Sequence, residues 1–353
     1  MNTWIATRWL GALMAAWAAA CASAAAADAP HVGLAQIAAT AQDGPVTLYY
    51  PTLAAEAPVQ RGPFTLSLAD QGAPARGNGR LVVISHGSGG APWVHADLAR
   101  QLVAAGFVVA LPEHHADNAR DPSNPGPNSW SLRPAEVSRA IDAVGADARF
   151  APLLSLDQVG MYGMSAGGHT ALTLAGGRWS PAGFARHCAA HIADDFSFCV
   201  GLITRQTGGW LDGFKRWVAN AVIGHRFADD TPRSHVDARI VAAVAGVPAA
   251  ADFDMASLAR PRIPLGLVTA GQDRWLVPRF HSDAVLQVCP SCEHIAHLPG
   301  GGHGALLSPL PPGLAGLIGE LLNDPPGFDR GTLLEVDRAI TAFFTRHVPA
   351  KAN

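Results

Sequence analysis

The chain reads as an α/β protein: a mainly parallel central sheet with helices on both faces and a cap-like insertion. Three observations predict this. Short β-rich runs alternate with stretches of helical periodicity, as strand–helix–strand units require. Runs such as LVVIS at residues 81–85 are continuously apolar, as strands buried on both faces must be. The rhythm then breaks once, between about residues 178 and 235.

At the N-terminus, Arg8 precedes an apolar stretch from Trp9 to Ala20, followed by Ala22-Ser23-Ala24, the small-x-small form that signal peptidase cuts. Such a stretch is too short to anchor in a bilayer. Residues 1–24 are therefore expected to be a cleaved export signal, directing residues 25–353 as one domain to the periplasm or outside the cell. Lipidation of Cys21 is the alternative, although Ala18-Ala19-Ala20 lacks the leucine such a site would carry. Without Cys21, four cysteines remain, Cys188, Cys199, Cys289 and Cys292, an even number suited to an oxidising compartment. Of the three possible pairings the local ones are expected, Cys188 with Cys199 and Cys289 with Cys292. A zinc site at Cys289 and Cys292 would need a second pair or histidines at suitable spacing, and only the distant His294 and His297 are available, so no metal is expected.

The next elements follow in order. After the strand at 81–85 comes the glycine-rich turn His86-Gly87-Ser88-Gly89-Gly90. Val94, Leu98, Leu102 and Ala105 then recur at helical spacing, and Gly106 stops the helix before a strand from Phe107 to Leu111. NPGPNSWSLRP reads as a loop leading to a helix with the stripe Val137, Ile141, Val144 and Ala148, and with Pro134 in its first turn. Further strands are expected at 158–162, 240–245, 265–270 and 294–298, and a closing helix at roughly 332–347. Within the insertion, Trp210, Phe214, Trp217 and Val218 could share one helix face. Such a segment would sit over the carboxyl ends of the strands, where open α/β sheets bind ligands; packing of these aromatics into the core is the alternative.

The strand at 158–162 runs into Gly163-Met164-Ser165-Ala166-Gly167 and then a helix. A strand that reverses into a helix within a few residues strains the residue at its apex and crowds the neighbouring backbone. Glycines on either side of Ser165 relieve that crowding and leave its hydroxyl standing clear. A serine hydroxyl is a weak nucleophile without a base to take its proton and a third group to hold the base. Asp273 is the expected acid, since it follows the strand PLGLVTA at the same sheet edge; Asp252 and Asp254 are runners-up, and Asp283 reads as a helix position. His303, in LPGGGHGALL just past the last strand, is the expected base. His169, one turn after the serine, and His294 and His297, alternating within a strand, read as structural. The backbone N–H groups of Ser88 and Ala166 are the expected donors to a developing oxyanion. The turn at 86–90 lacks the lysine and the glycine spacing of phosphate-binding loops. His114 and His115 read as loop structure, since adjacent side chains of an extended chain diverge. Trp93, Trp130 and Trp275 are expected near the substrate pocket, with ordinary packing as the alternative.

These residues resemble the α/β-hydrolase superfamily over about residues 45–347. VVISHGSGG, GMSAGGHTAL, AGQDRWLVP and GGGHGALL are similar to the exported bacterial branch labelled predicted dienelactone hydrolases, itself similar to platelet-activating-factor acetylhydrolases and polyester hydrolases. The resemblance implies nucleophile, acid and base at Ser165, Asp273 and His303, with oxyanion donors at Ser88 and Ala166. One departure stands out: true dienelactone hydrolases use cysteine as nucleophile, and this chain has serine. The expectation is a serine hydrolase acting on a small-molecule, lipid or polyester carboxylic ester, without cofactor or metal. The same triad would serve an acyltransferase or peptidase, and an idle triad in a binding protein is the reading from another class. With 25 Lys and Arg against 28 Asp and Glu and no basic run, nothing suggests a nucleic acid or an anionic membrane surface as partner.

Overall fold

The computed structural model describes residues 30–351; the expected export signal and Cys21 lie outside them. No helix among the described residues is long and apolar enough to cross a membrane. The centre is a ten-stranded sheet in the order β12-β11-β9-β7-β5-β6-β2-β1-β4-β3. Its first half is β5 (Leu81–Ser85), β6 (Val108–Pro112), β7 (Val159–Met164), β9 (Ile240–Gly246), β11 (Leu265–Ala270) and β12 (Glu293–Leu298), paired in parallel. These are the apolar runs legible in the sequence, and most of their residues are buried. The other half is a largely antiparallel wing of β1 (His31–Ile37), β2 (Val46–Thr52), β3 (Ala57–Arg61) and β4 (Phe64–Asp70), in which β1 and β4 run parallel.

Two apolar layers flank the sheet, because alternate strand residues face opposite sides. Val83 and Met161 face α2 (Pro127–Ala146) and α3 (Ala166–Leu174), whereas Val82 and Tyr162 face α1 (Ala96–Ala104) and α10 (Leu333–His347). Each fully buried valine or leucine here contributes about 1.5–3 kcal/mol. The helices after β5 and β7 thus lie on opposite faces, each following the carboxyl end of its strand.

Helix α2 starts at Pro127, so most of the segment read as a loop is helical and Pro134 lies inside the helix rather than in its first turn. Proline at 134 leaves the Trp130 carbonyl without its usual partner. The turns persist because Trp130, Arg133, Val137, Ile141 and Val144 all bury inward, and tertiary packing outweighs the local cost.

The insertion holds the short strand β8 (Arg178–Trp179) and helices α4 (Pro181–His191), α5 (Phe196–Val200) and α6 (Asp212–Arg226). Strand β8 pairs with β10 (Phe253–Asp254), which precedes the short helix α7 (Met255–Leu258). Cys188 and Cys199 are bonded, tying α4 to α5. Cys289 and Cys292 are bonded just after α8 (Ser282–Val288). Helix α9 (Gly316–Leu322) lies between β12 and α10. Phe214 and Trp217 of α6 do share a face, but it is not core: Trp217 is 68 % and Phe214 61 % exposed, and Trp210, just before the helix, is 90 % exposed.

Candidate active site

Ser165 sits between β7 and α3 with φ 58° and ψ −115°, a left-handed conformation that a residue with a side chain holds only under constraint from its surroundings. The constraint is visible. A Cβ at Gly163 would run into the Gly167 carbonyl, and one at Gly167 into the Ser85 carbonyl, so both positions require glycine. The Ser165 N–H donates to the Gly246 carbonyl at 3.0 Å, and its carbonyl accepts from Ala249 at 3.1 Å.

The structure brings Ser165, His303 and Asp273 together across 138 residues of sequence, with His303 Nε2 3.0 Å from Ser165 Oγ. Its Nδ1 lies 2.8 Å from Asp273 Oδ2. The other Asp273 oxygen accepts the N–H groups of Trp275 and Leu276 at 2.8 and 2.9 Å. With the carboxylate accepting the hydrogen bond from Nδ1–H, the Nε2 lone pair faces the serine hydroxyl, the tautomer that proton abstraction requires. His303 and Asp273 are each only 5 % exposed. The loop that carries His303 is held from behind by Arg330, which donates to the Leu307 and Gly304 carbonyls and pairs with Asp324. A Cβ at Gly304 would strike the Leu322 carbonyl, so α9 packs directly on this turn.

Opposite His303 runs the glycine-rich turn after β5, with Gly87 against Ser165. Asp117 holds this turn by accepting the Ser88 hydroxyl at 2.5 Å and the Gly89 N–H at 3.0 Å. Arg133 bonds Asp117 at 2.8 Å and the His86 carbonyl at 2.5 Å. Burial opposes charge on Asp117, but the Arg133 guanidinium and the hydrogen bonds from Ser88 and Ser129 outweigh it and hold its carboxyl below the usual range. The Gly89 N–H is committed to Asp117 and the Gly90 N–H to the Gly87 carbonyl, and across from this turn Ala166 opens α3 directly after Ser165.

Beneath the turn lies a second polar relay. Ser85 Oγ is 2.6 Å from His114 Nε2, and His114 Nδ1 is 2.5 Å from Glu136. The His114 N–H donates to His86 Nε2, leaving His86 Nδ1 to donate to the Gly87 carbonyl at 2.7 Å. Burial pushes both histidines well below their ordinary range and raises Glu136, so the relay favours uncharged forms. The residue types repeat those around Ser165, but Ser85 and His114 are sealed from solvent and serve as a floor for the turn.

The remaining candidates have other partners. Asp252 is buried and bonds His169 at 3.0 Å, while Asp254 caps α7 and pairs with Arg178. His294 and His297 do not alternate: a bulge at Ile295 turns both onto Thr269 Oγ1, at 2.9 and 2.7 Å. Trp130 is buried, stacked on Phe198 of the insertion and beside His169. Trp93 lies over Gly62 in the β3–β4 turn. The Trp275 side chain packs, half-buried, on the core beneath α8. Among the described residues no cluster of histidine, cysteine or carboxylate side chains is arranged to hold a metal. A cavity of about 610 Å³ lies between the insertion and residues 251–254, where Arg178 and Arg186 pair with Asp254 and Asp230.

Sequence reasoning missed Asp117, Arg133, Glu136, His114 and His86 as a frame. The one local signal was an arginine at the inward spacing of α2, Trp130–Arg133–Val137, where a charge must have a buried partner. Comparison of the chain with protein-family models and with curated proteins finds no match.

Proposed function

We propose that the protein is an exported serine hydrolase of the α/β-hydrolase type that cleaves carboxylic esters through an acyl-enzyme. The observation that carries this reading is the chain of hydrogen bonds from Ser165 to His303 to Asp273, 3.0 and 2.8 Å, at a strained strand-to-helix corner. His303 would take the Ser165 proton as Oγ attacks the ester carbonyl, and the Asp273 carboxylate would stabilise the imidazolium. The negative charge on the carbonyl oxygen would fall to the N–H groups of Ser88 and Ala166, donors of a kind worth about 10²–10³ in rate. Collapse expels the alcohol, which receives the proton from His303. Water, deprotonated by the same imidazole, then releases the acid and frees Ser165. No step calls on a metal or cofactor. Two local disulfides suit an exported protein, in keeping with the leader-like N-terminus.

The test is Ser165→Ala assayed on p-nitrophenyl acetate and butyrate, with fluorophosphonate labelling of the parent. Turnover should fall by about 10⁶, as loss of such a nucleophile does, and the label should sit on Ser165. Retained hydrolysis would refute the reading.

A further inference from the structure

Helix α6 is amphipathic in the wrong sense for a packed helix. Its inward side buries Asp212 and Ile223, whereas Phe214, Trp217, Val218 and Val222, with Trp210 just before it, point to solvent. Phe214 and Trp217 stack on one another at 6.0 Å. Trp210 and Trp217, at 90 % and 68 % exposure of side chains that each present about 150–250 Å², alone approach the few hundred Å² of contiguous apolar surface usual for a soluble monomer.

The charge around this face is cationic. Residues 201–227 hold Arg205, Lys215, Arg216 and Arg226 against the single acid Asp212, whose carboxylate is occupied by Lys215 and the Thr207 and Gly208 N–H groups. The segment by itself is +3 in a chain of net −3; with Lys215 paired to Asp212 and Arg205 to Glu320, the charge that no acid among the described residues offsets is that of Arg216 and Arg226. At helical spacing Lys215 and Arg226 lie along one border of the apolar stripe. The patch is also near the site: Arg205 bonds Glu320 of α9, the helix whose Leu322 packs on the turn carrying His303.

We infer that this face docks the protein onto an anionic lipid–water interface. An exposed apolar face carrying tryptophan, with cations along its opposite edge, is the composition of a helix lying in that plane. A second copy fits less well, because a two-fold contact would bring the same cations face to face. Taken with the proposed hydrolase, on which this clause rests, docking would present the site to esters held in the lipid layer.

The test is partition of the secreted protein onto vesicles of phosphatidylcholine with phosphatidylglycerol, and of phosphatidylcholine alone, read by flotation and tryptophan fluorescence. The protein should bind the anionic vesicles, with a blue shift that high salt reduces. Trp210→Ser with Trp217→Ser, and separately Lys215→Glu with Arg226→Glu, should each weaken partition by about tenfold or more, leaving soluble-ester hydrolysis and the circular dichroism spectrum unchanged. No binding by the parent, equal binding by the variants, or a dimer in sedimentation that the tryptophan pair converts to monomer would each overturn the inference. Binding is read without turnover, so its failure leaves the hydrolase reading standing, and the converse.

Discussion

Arg133 and Asp117 form an ion pair at 2.8 Å with both side chains closed to solvent, and between them they hold the turn that carries Ser88. A buried pair of this kind is expensive to break from one side, about 3–5 kcal/mol, because the remaining charge has no solvent. Asp117→Asn keeps the shape but loses the charge that both Arg133 and Ser88 address. On the proposed mechanism, in which the Ser88 N–H would act on the oxyanion rather than on bound ester, the expected outcome is a loss in kcat of about 10–10² on soluble esters with a smaller change in KM. Stability should also fall. Single-turnover acylation kinetics and urea unfolding of the same sample check both, and a kcat equal to the parent's would show that the turn holds without the pair.

Asp117, Arg133 and Ser88 also mark where the sequence stops being readable. Strands β5, β6, β7, β9 and β11 were legible because burial on both faces demands unbroken apolar runs, and the order serine, acid, histidine along them located three side chains that do meet. The wing β1–β4 was not legible: β3 and the first half of β4 are partly exposed, and their mixed composition resembles a loop. The frame under the turn escaped because its partners come from three separate segments, and nothing in local spacing says that His114 will meet Glu136. The bulge at Ile295 reversed the expected alternation of His294 and His297, since one extra residue changes which face a strand presents. Helix α6 was readable as amphipathic, but not which side would face water.

Gly167 offers a test of the corner geometry that leaves every polar group in place. A methyl at this position would collide with the Ser85 carbonyl, inside the closest contact between β5 and α3. Gly167→Ala should therefore shift the Ser165 hydroxyl relative to His303, where displacements of about 1 Å typically cost 10²-fold in rate. The measurement is kcat/KM together with fluorophosphonate labelling rate, and both should fall in parallel if one displaced hydroxyl is responsible.

Acid sensitivity should trace to His95. Burial pushes this imidazole down to about 4, and neither ring nitrogen has a hydrogen-bond partner. Below about pH 6.5 the unfolded chain binds a proton that the fold refuses, so stability falls as the pH drops from there towards 4. His86 and His114 act in the same direction. His95→Phe, which keeps a ring beside Tyr162, should gain about 2–3 kcal/mol relative to the parent at pH 4.5 compared with pH 8. Urea titrations at the two pH values measure this difference, and equal shifts at both would place the acid sensitivity elsewhere.

Asp337 should act with the opposite sign. Burial, with a smaller contribution from the Asp97 charge, raises its carboxyl from 3.8 to about 7. Between those values the fold holds a proton that the unfolded chain releases, so this group favours the folded state less and less as pH rises to about 7, and above that its buried charge is a constant cost. Asp337→Asn mimics the protonated form at every pH. It should therefore stabilise the protein at pH 8 by about 3 kcal/mol more than it does at pH 5, a difference set by the span over which the folded group alone stays protonated. Asp337 lies in α10 on the face of the sheet away from α2 and α3, so soluble-ester turnover at pH 8 should be unaltered. Urea midpoints at the two pH values, with the same slope for both proteins, give the answer: a gain that does not grow with pH would mean that Asp337 finds a cation or water that keeps it charged inside the fold.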